Sequence, residues 1–147
     1  MRSNKGAVTL PVILLISGIV MEIAIAGVVV AAVISNTIFN SRLAAEALVA
    51  ARAGAQDAIM KVVRNKNFSA AGAGYNLPNI GDRASAQVVV CKDLTTSTVL
   101  CDTSSPGLDE ITSTGSALTR KKKMRAIIGV DSISGKVNVV SFKEVPL

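Results

Sequence analysis

One carboxylate, Glu22, stands in a run from Ala7 to Ile34 in which almost every other residue is apolar. An acid near the centre of a membrane helix costs about 2.5–3.5 kcal/mol on insertion scales, and such residues are functional by default. Two readings follow: a polar contact with another group, or a protonated acid tolerated in a long helix. Other chemically active residues are few. The chain has no histidine, which removes the commonest general base and the commonest transition-metal ligand. It carries no nucleophile elbow, no phosphate-binding glycine loop and no convincing acid pair, so no catalysis is expected.

Cys91 and Cys101 are the two cysteines, placed symmetrically about Thr96. A disulfide would close a loop of about ten residues and stabilise the fold by roughly 2–4 kcal/mol. The alternative is two free, partly buried thiols. Without histidine they make a poor metal site. Asp102, Asp109 and Glu110 around Ser104-Ser105-Pro106-Gly107 offer oxygen ligands, but their spacing matches no defined calcium loop. Neither metal nor cofactor is expected.

The densest charge cluster is Arg120-Lys121-Lys122-Lys123-Met124-Arg125. Arg120, Lys121, Lys122, Lys123 and Arg125 offer a surface for DNA, another anionic polymer or a negatively charged cell surface. The preferred reading, however, is a solvated strand entry that also blocks edge pairing. Aromatic residues are scarce, three Phe and one Tyr, so no stacking platform for single-stranded bases accompanies them. The net charge of +6 is a weak signal, because residues 69–147 hold nine basic against seven acidic side chains.

The elements that position these residues begin with the apolar run. Its 28 residues span roughly 42 Å as a helix, more than a bilayer core of about 30 Å. Arg2 and Lys5 precede it and place that end in the cytoplasm by the positive-inside rule. A discarded signal peptide cut near Ala24-Ile25-Ala26 is one reading, but its apolar region would be shorter. A plain signal anchor is another.

Beyond it, no proline occurs between Pro11 and Pro78, and SRLAAEALVAARAGAQDAIMKVVRNKNF is rich in good helix formers. Leu48, Ala51, Ala55, Ile59 and Val62 recur at helical spacing and define one apolar face. Arg42 with Glu46 and Asp57 with Lys61 are i,i+4 pairs on the polar side. One helix is expected from about Leu10 to about Lys66. Residues 69–83, rich in Gly, Asn and Pro, read as a loop.

Residues 84–147 read as an antiparallel sheet of four or five strands: Ala84 to Cys91, Thr98 to Cys101 as its partner, Glu110 to Gly115, Lys123 to Val130 and Lys136 to Phe142. The expected fold class is α+β. A long N-terminal helix, membrane-spanning in its first half, packs its second half on a small antiparallel sheet. The organisation is a basic leader (1–6), an apolar helix (7–34), its amphipathic extension (35–68), a loop (69–83) and a sheet domain (84–147).

The leader Lys5-Gly6-Ala7-Val8-Thr9-Leu10, followed by the long apolar helix, resembles the class III signal of type IV pilins and pseudopilins. Nearly the whole chain follows that architecture. The stretch ITSTGSALTRKKKMRAII is also similar to the distal strands of some minor pilins. The resemblance implies cleavage after Gly6 by a prepilin peptidase and N-methylation of Ala7. It implies a structural subunit held in the lipid of a prokaryotic cytoplasmic membrane, N-terminus inside. Assembly would then occur through the helix, with other pilin subunits and an inner-membrane assembly platform, into an extracytoplasmic filament.

In pilins a glutamate at the fifth mature residue pairs with a neighbour's N-terminal amine. Here that position is Pro11, a departure that fits a minor or tip subunit. Glu22 lies eleven residues on, about three turns plus 20°, on the same helical face as Pro11 and roughly 16 Å along the axis. It is the candidate for an intersubunit contact at a shifted register.

Overall fold

The computed structural model describes residues 9–81, 83–92, 108–131 and 133–147. A single helix, α1, runs Thr9–Arg64 for 56 residues. Strands follow at Ala70–Ile80 (β1), Ala84–Cys91 (β2), Asp109–Ala117 (β3), Arg120–Val130 (β4) and Val137–Val145 (β5). The fold is α+β, as the sequence implies. The chain divides into two compact units, one ending at Phe39 and one running Asn40–Leu147.

In the first unit, the apolar side chains of α1 all face outward. Ile23 and Val28 are 68% and 71% exposed. This part of α1 is long and apolar enough to cross a membrane, and none of that apolar stretch is buried in the chain. Two of its hydroxyls are satisfied within the helix: Ser17 Oγ donates to Leu14 O at 2.9 Å and Thr37 Oγ1 donates to Val33 O at 2.9 Å. Internal satisfaction is what a lipid environment demands of polar groups.

In the second unit, the helix ends at Arg64 because Asn65 turns the chain. Asn65 Oδ1 accepts from Asn67 N at 3.0 Å, and Phe68 N donates to Asn65 O at 2.8 Å. Lys61 and Arg64 in the last turn complement the carbonyl end of the helix dipole. The buried stripe is Leu43, Ala47, Ala50, Ala51, Gly54, Ala55, Ala58 and Val62. Leu48 and Ile59, expected at the centre of the face, are only half-buried. Small residues win the centre because they let the helix backbone lie almost on the sheet. A Cβ on Gly115 would collide with Ala47 O and Ala51 N of the helix, and one on Gly54 with Ser113 Oγ. Size-weighted periodicity favours the larger side chains and so misplaces the axis of contact.

The sheet is an antiparallel meander in the order β1-β2-β3-β4-β5. Alternation sends Val88, Val90, Ile111, Ala126 and Ile128 to the helix side, where they meet Ala55, Ala58 and Val62. Leu43, Ala47 and Ala50 cluster with Ala84 and Ala117.

Two expectations are corrected here. The segment 69–83 is not all loop, because β1 occupies most of it. β1 pairs with β2 through Tyr75↔Val88 and Leu77↔Ala86, with register shifts on both sides. Gly74 takes φ +67°, and a Cβ there would strike Val88 O, so glycine permits the pairing that composition argues against. Pro78 is tolerated because β1 is an edge strand. Thr98 to Cys101, expected to pair with residues 84–91, lies outside the described residues, and β2 is already paired with β1 on one side and β3 on the other.

β3 and β4 also run longer than expected. They meet at a two-residue turn of Leu118 and Thr119, with Ala117 opposite Arg120. Leu118 adopts φ +50°. Nothing in Ala-Leu-Thr-Arg signals such a turn, which Asn or Gly ordinarily supplies.

Candidate functional site

Pro11 lies in the first turn of α1, where its missing N–H has no partner to lose. Glu22 is exposed on the apolar stretch. It has no hydrogen-bond or ion-pair partner among the described residues. Its carboxylate is thus free to meet a group from another molecule. Gly6 and Ala7, the candidate processing residues, lie outside the described residues.

Cys91, at the end of β2, is buried and disulfide-bonded. Cys101 lies outside the described residues, as does Asp102. Asp109 and Glu110 are both buried at the start of β3. Among the described residues, no group of three His, Cys, Asp or Glu side chains converges as a metal site.

The basic run is separated by strand alternation. Ala117, Gly115 and Ser113, on the helix side, stand opposite Arg120, Lys122 and Met124. Lys121, Lys123 and Arg125 therefore project from the opposite, outward face. Lys122 Nζ donates to Glu144 Oε1 at 2.6 Å. Arg125 Nη2 donates to Glu110 Oε2 at 2.9 Å, with Glu110 nearly inaccessible, and Thr112 Oγ1 donates to the same carboxylate at 3.2 Å. Breaking such a buried pair from one side leaves a stranded charge, so Arg125 is structural. The structure brings Lys121, Lys123 and Arg125 to one face, where Glu110 engages Arg125, and sends Arg120 and Lys122 to the other. Lys143 on β5, opposite Arg125, joins Lys121 and Lys123, and only the pairing register shows that it belongs there.

Polar contacts join α1 to β1 and to the turn between β1 and β2. Arg83 binds Glu46 with two parallel hydrogen bonds, Nε to Oε2 at 3.0 Å and Nη2 to Oε1 at 2.9 Å. Arg83, and not the expected Arg42, is thus the partner of Glu46, and the bidentate geometry makes this the strong form of the pair. The hydrogen bond from Arg83 holds the Glu46 carboxyl below its usual range.

The Asp57–Lys61 pair forms as expected, at 3.0 Å. It does more than the spacing shows. Tyr75 Oη donates to Asp57 Oδ2 at 2.7 Å, Lys61 Nζ sits 3.5 Å from the centre of the Tyr75 ring, and Phe68 packs edge-on against that ring. Burial pushes the Tyr75 phenol up, and the Asp57 carboxylate adds to the shift. Burial alone would raise Asp57 also, but hydrogen bonds from Tyr75 and Lys61 outweigh it and hold Asp57 low. The cluster anchors β1 to the helix.

No family model matches the chain, and no curated protein and no solved structure matches it either.

Proposed function

We propose that this chain is a structural subunit, minor or at the tip, of a type IV pilus or a related secretion pseudopilus, and not an enzyme. The observation that carries this reading is α1 itself. One uninterrupted helix presents an exposed apolar surface before Phe39 and a small-residue stripe packed on a five-stranded sheet after it. In that reading the apolar part is anchored in the cytoplasmic membrane, with the N-terminus inside, until a prepilin peptidase cuts after Gly6. The assembly platform then transfers the helix from lipid into the core of a filament, and the sheet unit is displayed outside. Burial of the same apolar surface drives both states, so the transfer exchanges one apolar environment for another. Glu22 supplies the polar contact that lipid cannot.

A second reading shares the helix: a bitopic membrane protein whose small β-rich unit binds partners outside the cytoplasm without polymerising. Mass analysis of the mature N-terminus separates them, together with recovery of the chain in sheared filaments. A methylated Ala7 and filament recovery support the subunit. An intact Met1 with the chain confined to membranes supports the bitopic reading. A start at Gly27 overturns both and makes the chain a secreted module.

A further inference from the structure

β4 lies between β3 and β5, and β5 pairs with it from Lys123 onward, while Arg120, Lys121 and Lys122 run past the end of β5. Edge protection therefore does not explain Lys123 or Arg125. Lysine is also a poor strand former in a sheet interior. A local choice that opposes its structural setting is most often found where function needs it.

Two lysines of β4 project from the outward face without ion pairs among the described residues: Lys121, opposite Ser116, and Lys123, opposite Thr114. Lys143 of β5 extends the set, also without an acidic partner. The acids nearest this patch are engaged elsewhere, Glu110 with Arg125 on the outward face and Glu144 with Lys122 on the helix side. Lys121 and Lys123 repeat at about 7 Å along the strand. Beside them the hydroxyls of Thr114 and Ser116 line a shallow groove with Gln87, Pro78 and Lys121. The face therefore carries uncompensated cations with the Thr114 hydroxyl and the hydrogen-bonded Ser85–Ser116 hydroxyl pair alongside.

We infer that the outward face of β3, β4 and β5 binds the phosphate backbone of duplex nucleic acid without reading its sequence. Lysines and hydroxyls are the groups that contact phosphate oxygens. No aromatic side chain accompanies them on this face, which disfavours single strands, whose bases need a stacking surface.

The test uses the full chain in uncharged detergent micelles and a short DNA duplex of arbitrary sequence, read by fluorescence anisotropy. Three phosphate contacts predict a salt slope of about −2.7, which is about a 40-fold loss of affinity between about 50 and about 200 mM salt. The variant K121Q/K123Q/K143Q should lose about tenfold or more in affinity at low salt and most of that slope. K121R/K123R/K143R should retain both. A control with the same charge change elsewhere, R52Q/R64Q/K136Q, should keep the wild-type slope, and circular dichroism should show that every variant is folded.

Equal losses in the control would reduce the effect to net charge and overturn the inference. So would tighter binding, through the same lysines, to phosphatidylglycerol vesicles or to an acidic polysaccharide. Because the assay needs no filament, its failure leaves the subunit reading standing, and the reverse holds also.

Discussion

Tyr75 of β1 donates its phenol proton to Asp57 of α1 at 2.7 Å, which ties an edge strand to the helix that covers the sheet. Lys61 completes the arrangement, bonded to Asp57 and lying over the Tyr75 ring. The pH consequence follows from the direction of each shift. Asp57 is held below its ordinary pKa, so its contribution is complete above about pH 4 and is lost as pH falls through the lower folded value. Tyr75 is raised, so its contribution is complete below about pH 10 and is lost as pH rises beyond that. Tyr75→Phe should destabilise the second unit by about 1.5–3 kcal/mol, the range for hydrogen bonds to a charged group. It should also flatten the acid limb of a plot of melting temperature against pH. An unchanged acid limb would show that Asp57 is held by Lys61 alone.

Gly115 sits where the helix backbone touches the sheet. Gly115→Ala places a methyl group against Ala47 O and Ala51 N, and rigid backbone cannot yield as a side chain can. The expected loss is about 1–3 kcal/mol or more, read as a lower denaturation midpoint of the full chain in detergent. By contrast, Ser113→Ala at the next inward position of β3 should be neutral or stabilising. Ser113 Oγ is buried with no hydrogen-bond partner among the described residues, and removing it relieves that desolvation. A clear loss on Ser113→Ala would show that the hydroxyl is satisfied after all.

Leu118 holds φ +50° in the β3–β4 turn and exposes most of its side chain. A left-handed conformation costs a branched residue roughly 1–2 kcal/mol. Leu118→Asn or Leu118→Gly should therefore raise stability by about 1 kcal/mol, visible as a rise of a few degrees in melting temperature. A fall with both variants would mean that Leu118 makes a contact worth more than its strain.

Glu22 is the sharpest test of the assembly reading. Glu22→Leu should insert into membranes at least as well as the parent, since insertion no longer carries the cost of an acid. It should nonetheless enter sheared filaments several-fold less efficiently. Glu22→Gln, which keeps hydrogen bonding without charge, should fall between the two. Equal incorporation of all three would remove Glu22 from assembly and leave it a tolerated acid.

Local pattern was sufficient for several elements. The continuity of α1 was legible because helix formers run without proline from Pro11 to Pro78. β2 and the β4–β5 hairpin were legible from β-branched alternation, and the Asp57–Lys61 pair from its spacing. Each is decided within a few residues along the chain. β1 was not legible, since its glycines and proline speak for a loop. Only the waiting edge of β2, with Tyr75 bonded to Asp57, makes extended structure favourable there.

The candidate site divides in the same way. The chemistry of Glu22 depends on its apolar neighbours in sequence, and composition alone marks it. The roles within the basic run depend on pairing. β4 is interior, Arg125 belongs to Glu110, Lys122 belongs to Glu144, and Lys143 joins Lys121 and Lys123. Which residues can adopt an element was written in short-range propensity and periodicity. Which face each element buries, and which charge meets which, was decided by contacts between residues far apart in the chain, such as Glu46 with Arg83 and Gly115 with Ala47. Such contacts exist only once the sheet has its register and the helix its seat upon it.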